Sequence, residues 1–269
     1  MPHFRRGDSY DIDAGINPMK LKTYITFVII HLSIITGCSG CAYFADRDYE
    51  KVAGLIDSER YSEAVALATD SINRYPDDAR FYYERGYCLI RSDIAAAKND
   101  FTTALKIDPR YYNAYYGLSI VHRKEKLYDL AEANILKAIE LAPDGERKAA
   151  FFGGLAALYG NKKDYGRAIE YCKKSIALDD RGESHYRLGI FYYNHGRKKE
   201  AEKTWITALA EKEFKQIEFR HLTYSELAQY YYRNRKFGKA KEKIDKALEL
   251  APGSTEYRDL LDKIKARIK

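Results

Sequence analysis

An alanine followed twelve residues later by a proline recurs along this chain, at Ala64/Pro76, Ala97/Pro109, Ala131/Pro143 and Ala240/Pro252. The same frame runs through Ala168/Asp180 and Ala201/Glu213 with the proline replaced. Self-similarity at a period of about 34 residues marks a solenoid of helix–turn–helix units. The third copy shows the physical reason. Tyr115, Leu118 and Ser119 share one helix, and Tyr128, Ala131, Ile135, Ala138 and Ile139 share the next, which stops before Pro143. Ala131 and Ala138 lie two turns apart on one face and let the paired helix approach closely. Pro143 lacks an N–H and disfavours helix in the residue before it, so the chain turns there. A helix pair this short cannot bury its apolar stripe alone, so successive copies must stack.

These residues resemble the tetratricopeptide repeat family, whose pattern sets an aromatic, Leu-Gly, an aromatic, Ala, Phe, Ala and Pro at fixed offsets. The fifth copy has Leu188-Gly189, Tyr192, Gly196, Ala201, Trp205 and Ala208. The sixth has Tyr224, Leu227-Ala228, Tyr231, Phe237, Ala240, Ala247 and Pro252, and the fourth has Phe152, Leu155-Ala156, Tyr159, Tyr165, Ala168 and Ile176. The second reads Arg85-Gly86, Ala97, Phe101, Ala104 and Pro109, with a turn one residue shorter. The first is the most degenerate, keeping Tyr61, Ala64, Ala68 and Pro76. The resemblance implies an all-α fold, a right-handed superhelical solenoid of six repeats at about 45–78, 79–111, 112–145, 149–182, 182–215 and 221–254. Four of the 6 prolines are repeat terminators and no low-complexity linker interrupts the array, so it reads as one continuous solenoid. The longest insertion is Glu213–Arg220. Residues 255–269, with Tyr257, Leu260, Leu261, Ile264 and Ile268 on one face, read as an amphipathic capping helix.

The amino end carries a different signal. Lys20 and Lys22 precede an apolar run from Tyr24 to Ile35, which is too short to cross a hydrocarbon core of about 30 Å at about 1.5 Å per residue. A basic start, a short apolar middle and small residues at the end fit a signal peptide at 19–37. Ile35-Thr36-Gly37-Cys38 is similar to the lipobox of bacterial lipoproteins, which implies cleavage before Cys38 and acylation of that cysteine. Residues 1–18 hold Asp8, Asp11 and Asp13, which a basic n-region excludes, so they read as an over-long start or a cytoplasmic prefix. Residues 38–44 then form a short tether, and several acyl chains give stable anchoring. Ser39 after the lipidated position implies, by the same resemblance, the periplasmic face of the outer membrane.

Catalytic signatures are missing. Cys38-Ser39-Gly40-Cys41 has Cys-x-x-Cys spacing but no βαβ context, and an acylated Cys38 could not cycle. Cys88 and Cys172 sit where small apolar residues pack, and His122 occupies an interior position of the third copy. His185, His195 and His221 have no metal-ligand spacing, and no phosphate-binding glycine motif occurs. The reading is therefore of a non-enzyme without metal or cofactor. The net charge is +7, with basic residues crowding the carboxyl end, which suits an acidic partner. Export past the inner membrane argues against nucleic acid.

In the family that the repeats resemble, the first helix of each copy lines a concave groove. Carried onto this chain, those positions are Arg80, Tyr83, Tyr87 and Arg91 in copy two and Asn113, Tyr116, Arg123 and Lys124 in copy three. Copy five adds Tyr186, Tyr193 and Asn194, and copy six adds Gln229, Tyr232 and Arg233. Tyr and Arg are enriched at binding hot spots. Family members that clamp acidic carboxyl-terminal tails carry Asn at a position filled here by Ala53, Tyr87, Ile120, Ala157, Ile190 and Gln229, so that clamp is absent. The expected partner is a protein segment, extended or helical, that carries acidic residues. A lipobox followed by six repeats resembles the pilotin lipoproteins of type IV pili, and also the lipoprotein adaptors that dock peptidoglycan hydrolases and proteases. A peptidoglycan-remodelling enzyme is the third reading and lacks a catalytic constellation.

Overall fold

The computed structural model describes residues 39–180, 182–210 and 217–268, which form helices and no strand among the described residues. Copy one pairs α1 (Ser39–Asp57) with α2 (Tyr61–Arg74), and copy two pairs α3 (Ala79–Leu89) with α4 (Ile94–Ile107). Copy three is α5 (Tyr112–Lys124) with α6 (Tyr128–Leu141), and copy four is α7 (Gly145–Asn161) with α8 (Tyr165–Leu178). Copy five is α9 (Gly182–Asn194) with α10 (Lys198–Ala210), copy six is α11 (Ile217–Arg233) with α12 (Phe237–Leu250), and α13 (Thr255–Lys265) follows. Each helix packs on its neighbours in sequence, and first helices also touch directly at α1–α3, α3–α5 and α9–α11. The result is the all-α superhelical solenoid that the repeat frame implies.

The alanine cadence is a seam of close approach. Ala64/Ser71, Ala97/Ala104, Ala131/Ala138, Ala168/Ser175, Ala201/Ala208 and Ala240/Ala247 are all buried, seven residues apart on the second helix of each copy. Between them sits one filler per copy: Ala68, Phe101, Ile135, Cys172, Trp205 and Ile244. Cys88 and Cys172 are free thiols. Phe101 is wedged against two first helices, since a Cβ at Gly86 or Gly117 would come within 2.9 or 2.6 Å of its ring. Pro76, Pro109, Pro143 and Pro252 each stand two residues past the last helical residue, where a missing N–H costs nothing.

The turns inside the copies obey one rule. Glu59, Lys126, Lys163, Gly196 and Arg235 all have φ between 58° and 84°. The residue after each returns its N–H to a carbonyl five residues back, as Leu127 does to His122 at 2.8 Å and Arg197 to Tyr192 at 2.8 Å. Copy two, with the shorter turn, has no left-handed residue; there Asp93 caps α4 by accepting from the Ala96 N–H.

The helices depart from the expected frame at four places. Of the stretch expected as a tether, 38–44, the described part, 39–44, is the first part of α1, because neither proline nor a capping residue separates it from Ala45, the first buried residue among those described. A helical spacer of six residues spans about 9 Å, where six extended residues would reach about 20 Å. The first helix of copy four begins at Gly145, ahead of the repeat frame at 149, because Asp144 caps it at once by accepting from the Arg147 N–H. Residues 217–220, expected within the insertion, belong to α11, while 211–216 lie outside the described residues. Ile268 stands beyond α13 and is 43% exposed, so the cap is closed by Tyr257 and Ile264 instead. The expected prefix, signal peptide and Cys38 lie outside the described residues.

Candidate partner-binding groove

The first helices put a row of depressions on the inner face of the solenoid. At the amino end a cavity of about 320 Å³ lies between α1, α3 and α5, lined by Ala53, Ile56, Asp57, Tyr83, Glu84, Tyr87 and Asn113. At the centre, α5, α7 and α9 surround one of about 230 Å³, with Tyr116 and Arg123 on one wall and Glu183 and Arg187 on the other. Its floor is α7, where Ala150, Gly153 and Ala157 present at most a methyl group, while Glu146 and Asp179 add carboxylates to the lining. A third depression, of about 380 Å³, shares Arg123, Ala157 and Arg187 with the second and adds Gly160, Tyr186, Ile190 and Asn194. The fourth, about 270 Å³, shares Ile190 and Asn194 with the third and adds Tyr193, Glu226, Gln229 and Arg233. From copy three to copy six the depressions therefore run into one another as a groove.

Ten of the groove residues expected from the sequence line these cavities: Tyr83, Tyr87, Asn113, Tyr116, Arg123, Tyr186, Tyr193, Asn194, Gln229 and Arg233. The other four stand elsewhere. Arg80 is held by Asp46 and Asp78, each at 2.7 Å, and lies 5.0 Å over the Tyr49 ring. Lys124 donates from Nζ to the Ile90 carbonyl at 3.0 Å, closing the end of the neighbouring first helix. Tyr232 packs on Phe237 of its own copy, with ring centroids 5.7 Å apart. Arg91 is exposed just past α3 and lines none of the cavities described. His122 is half-buried within hydrogen-bonding distance of Asn134, 3.2 Å away, and burial lowers its pKa.

The tyrosines of the groove divide by what they touch. Tyr87 is 41% exposed. Tyr83 is half-buried against Phe101 and Tyr111, with centroids 5.8 and 5.6 Å away. Tyr116 lies 4.8 Å from Phe151 and so close over Gly154 that a Cβ there would come within 2.6 Å of its ring. Arg233 donates to the Tyr193 hydroxyl at 2.7 Å. Arg187 is engaged by Glu183, whereas Arg123 has no ion-pair partner among the described residues. Burial raises the pKa of Glu226, the Arg233 charge opposing it, and pushes Tyr186 up to about 12.

The carboxylates Glu84, Glu183 and Glu226 and the small floor of α7 escaped the sequence reading. Their signal was there: Ala150, Gly153, Ala157 and Gly160 recur at helical spacing on the groove-lining side of one helix. Among the described residues no cluster of side chains suits a metal ion, and no helix is long and apolar enough to cross a membrane.

A stacked helical repeat with a continuous lined groove defines an interaction scaffold. Models of the tetratricopeptide repeat match residues 49–92, 91–146, 149–181 and 221–254, and the chain belongs to the tetratricopeptide repeat family. It is similar to anaphase-promoting complex subunit 3 of Schizosaccharomyces pombe, 29% identical over 122 residues, which are 45% of this chain and 18% of that protein. The chain thus spans under a fifth of that relative's length. It is also similar to photosystem I assembly protein Ycf3 of Prochlorococcus marinus, 30% identical over 151 residues, 51% of this chain and 84% of that one. Among solved structures it resembles PilW, described as a widely conserved type IV pilus biogenesis factor, with a TM-score of 0.68 at 15% identity, covering 81% of this chain and 98% of that one. The pilF protein of Pseudomonas aeruginosa gives a TM-score of 0.64 at 16% identity, covering 84% and 100%. At these identities the likeness is one of fold.

Proposed function

We propose that this protein is a non-catalytic scaffold of the bacterial cell envelope, anchored on its periplasmic face by acylation at Cys38, which holds a partner segment in the groove during assembly of an envelope complex. The observation that carries the reading is the central depression. Its floor of Ala150, Gly153 and Ala157 leaves room for a partner backbone to approach α7 closely, and Arg123 on its wall, which makes no ion pair among the described residues, offers a donor to an acidic residue of that segment. The lipobox-like Ile35-Thr36-Gly37-Cys38 supports the anchor, and the fold shared with PilW and pilF supports a place in pilus-type assembly.

Filling the depression tests the groove. Ala157→Trp should abolish capture of the partner from detergent-solubilised membranes while leaving the circular dichroism spectrum unchanged. Undiminished capture by the folded variant overturns the reading. For the anchor, Cys38→Ser should abolish labelling by a fatty-acid probe and leave an unprocessed or soluble precursor. An unlabelled parent chain removes the anchor.

A further inference from the structure

The amino-terminal cavity carries charge of one sign, with Asp57 and Glu84 on its lining and no lysine or arginine beside them. Glu84 lies on its lining and is only 8% exposed, and its carboxyl receives one hydrogen bond, from the Tyr49 hydroxyl to Oε1 at 3.1 Å. No lysine or arginine pairs with it among the described residues, and Arg80, one turn earlier on α3, is already taken up by Asp46 and Asp78. Asp57 adds a second carboxylate to the lining, and the rings of Tyr83 and Tyr87, 6.3 Å apart, supply aromatic walls. A buried carboxylate is costly unless a cation meets it, and a cation lying along aromatic faces gains from their quadrupoles. The volume, about 320 Å³, accommodates a long side chain.

We infer that this cavity receives a lysine or arginine side chain of the partner segment, whose charge meets Glu84 and whose stem lies along Tyr83 and Tyr87. The inference rests on the groove binding a segment, as proposed above, and deepens it. The cation enters at copy two and the anion meets Arg123 between copies three and four. Two interhelix steps of about 10 Å separate these places, which about six extended residues span at about 3.3 Å each. The two poles thereby fix the direction in which the segment lies.

The test uses the full chain in detergent micelles and fluorescein-labelled decapeptides of glycine and serine carrying one lysine and one aspartate six residues apart, in both orders. Twin peptides replace the lysine by norleucine. The lysine peptide of one order should bind about tenfold tighter than its twin. Glu84→Gln, which keeps the acceptor for Tyr49, should bring that ratio close to one, and Asp57→Asn should reduce it in part. Arg123→Ala should weaken both peptides alike and leave the ratio standing. If Glu84→Gln leaves the ratio unchanged, or if the twins bind equally while Arg123→Ala weakens both, the cation pocket is wrong and the groove stands. If no peptide binds, both readings fall.

Discussion

Tyr49 and Glu84, 35 residues apart in sequence, meet at 3.1 Å where the first helices of copies one and two cross, and the tyrosine hydroxyl donates to the buried carboxyl. Desolvation pushes the Glu84 pKa from 4.5 to about 7, the Tyr49 hydrogen bond opposing the rise and the Asp57 charge adding to it. Between those two values the folded carboxyl keeps a proton that the unfolded one has lost, so stability falls as pH rises through that window and levels off above it. Glu84→Gln removes this loss. The variant and parent should have equal stability near pH 4.5, and above pH 7 the variant should be more stable by on the order of 3 kcal/mol. Urea unfolding across this range checks it; a parallel dependence in both proteins contradicts the assignment.

Arg85 stands where copies four, five and six have leucine, and its partner explains the exception. Its Nε and Nη2 donate to the two carboxylate oxygens of Asp100 at 2.8 and 2.7 Å, and Asp100 is 2% exposed. Asp100→Ala should cost about 3–5 kcal/mol by leaving a guanidinium uncompensated. Arg85→Leu together with Asp100→Ala should recover most of that loss, since leucine is what copies four, five and six carry. A double variant as unstable as Asp100→Ala alone in denaturant melts would refute the compensation.

Ser71 offers the reverse case. It fills a position occupied by alanine in copies two, three, five and six, and its buried hydroxyl has no hydrogen-bond partner among the described residues. Ser71→Ala should stabilise the protein by about 1 kcal/mol, through relief of an unmet polar group. The denaturation midpoint reads the change, and a destabilised variant would mean that the hydroxyl has a partner, such as water, after all.

Tyr87 and Tyr116 line neighbouring parts of the groove but should respond differently to truncation. Tyr116→Ala removes a ring packed on Phe151 and Gly154 and should cost about 2–3 kcal/mol of stability. Tyr87→Ala, at an exposed ring, should change stability by less than about 0.5 kcal/mol and act on binding instead. Paired melts and partner capture separate the two; equal destabilisation would erase the distinction. From the sequence both tyrosines read as groove-lining residues, and the packing of Tyr116 gives it a structural part as well.

The sequence by itself determined the repeat architecture. Small residues at Ala97, Ala104, Ala131 and Ala138 and the stops at Pro109 and Pro143 act locally, through helix periodicity and the missing proline N–H, so they are legible without a structure. The resemblance to the repeat family implied a lined face carrying Tyr83, Arg123 and Tyr193, and these residues line the depressions. Only the tertiary structure decided which of those side chains are free. Arg80 and Lys124 hold the correct register yet are engaged, by Asp46 and Asp78 and by the Ile90 carbonyl. Lys124, 34 residues from Ile90, meets it only when the copies stack. The floor under Arg123 likewise became a depression only because α5 and α9 stand on either side of Ala150, Gly153 and Ala157. Helix periodicity is a property of one chain segment, whereas charge neutralisation and cavities belong to pairs of segments that the superhelix brings together.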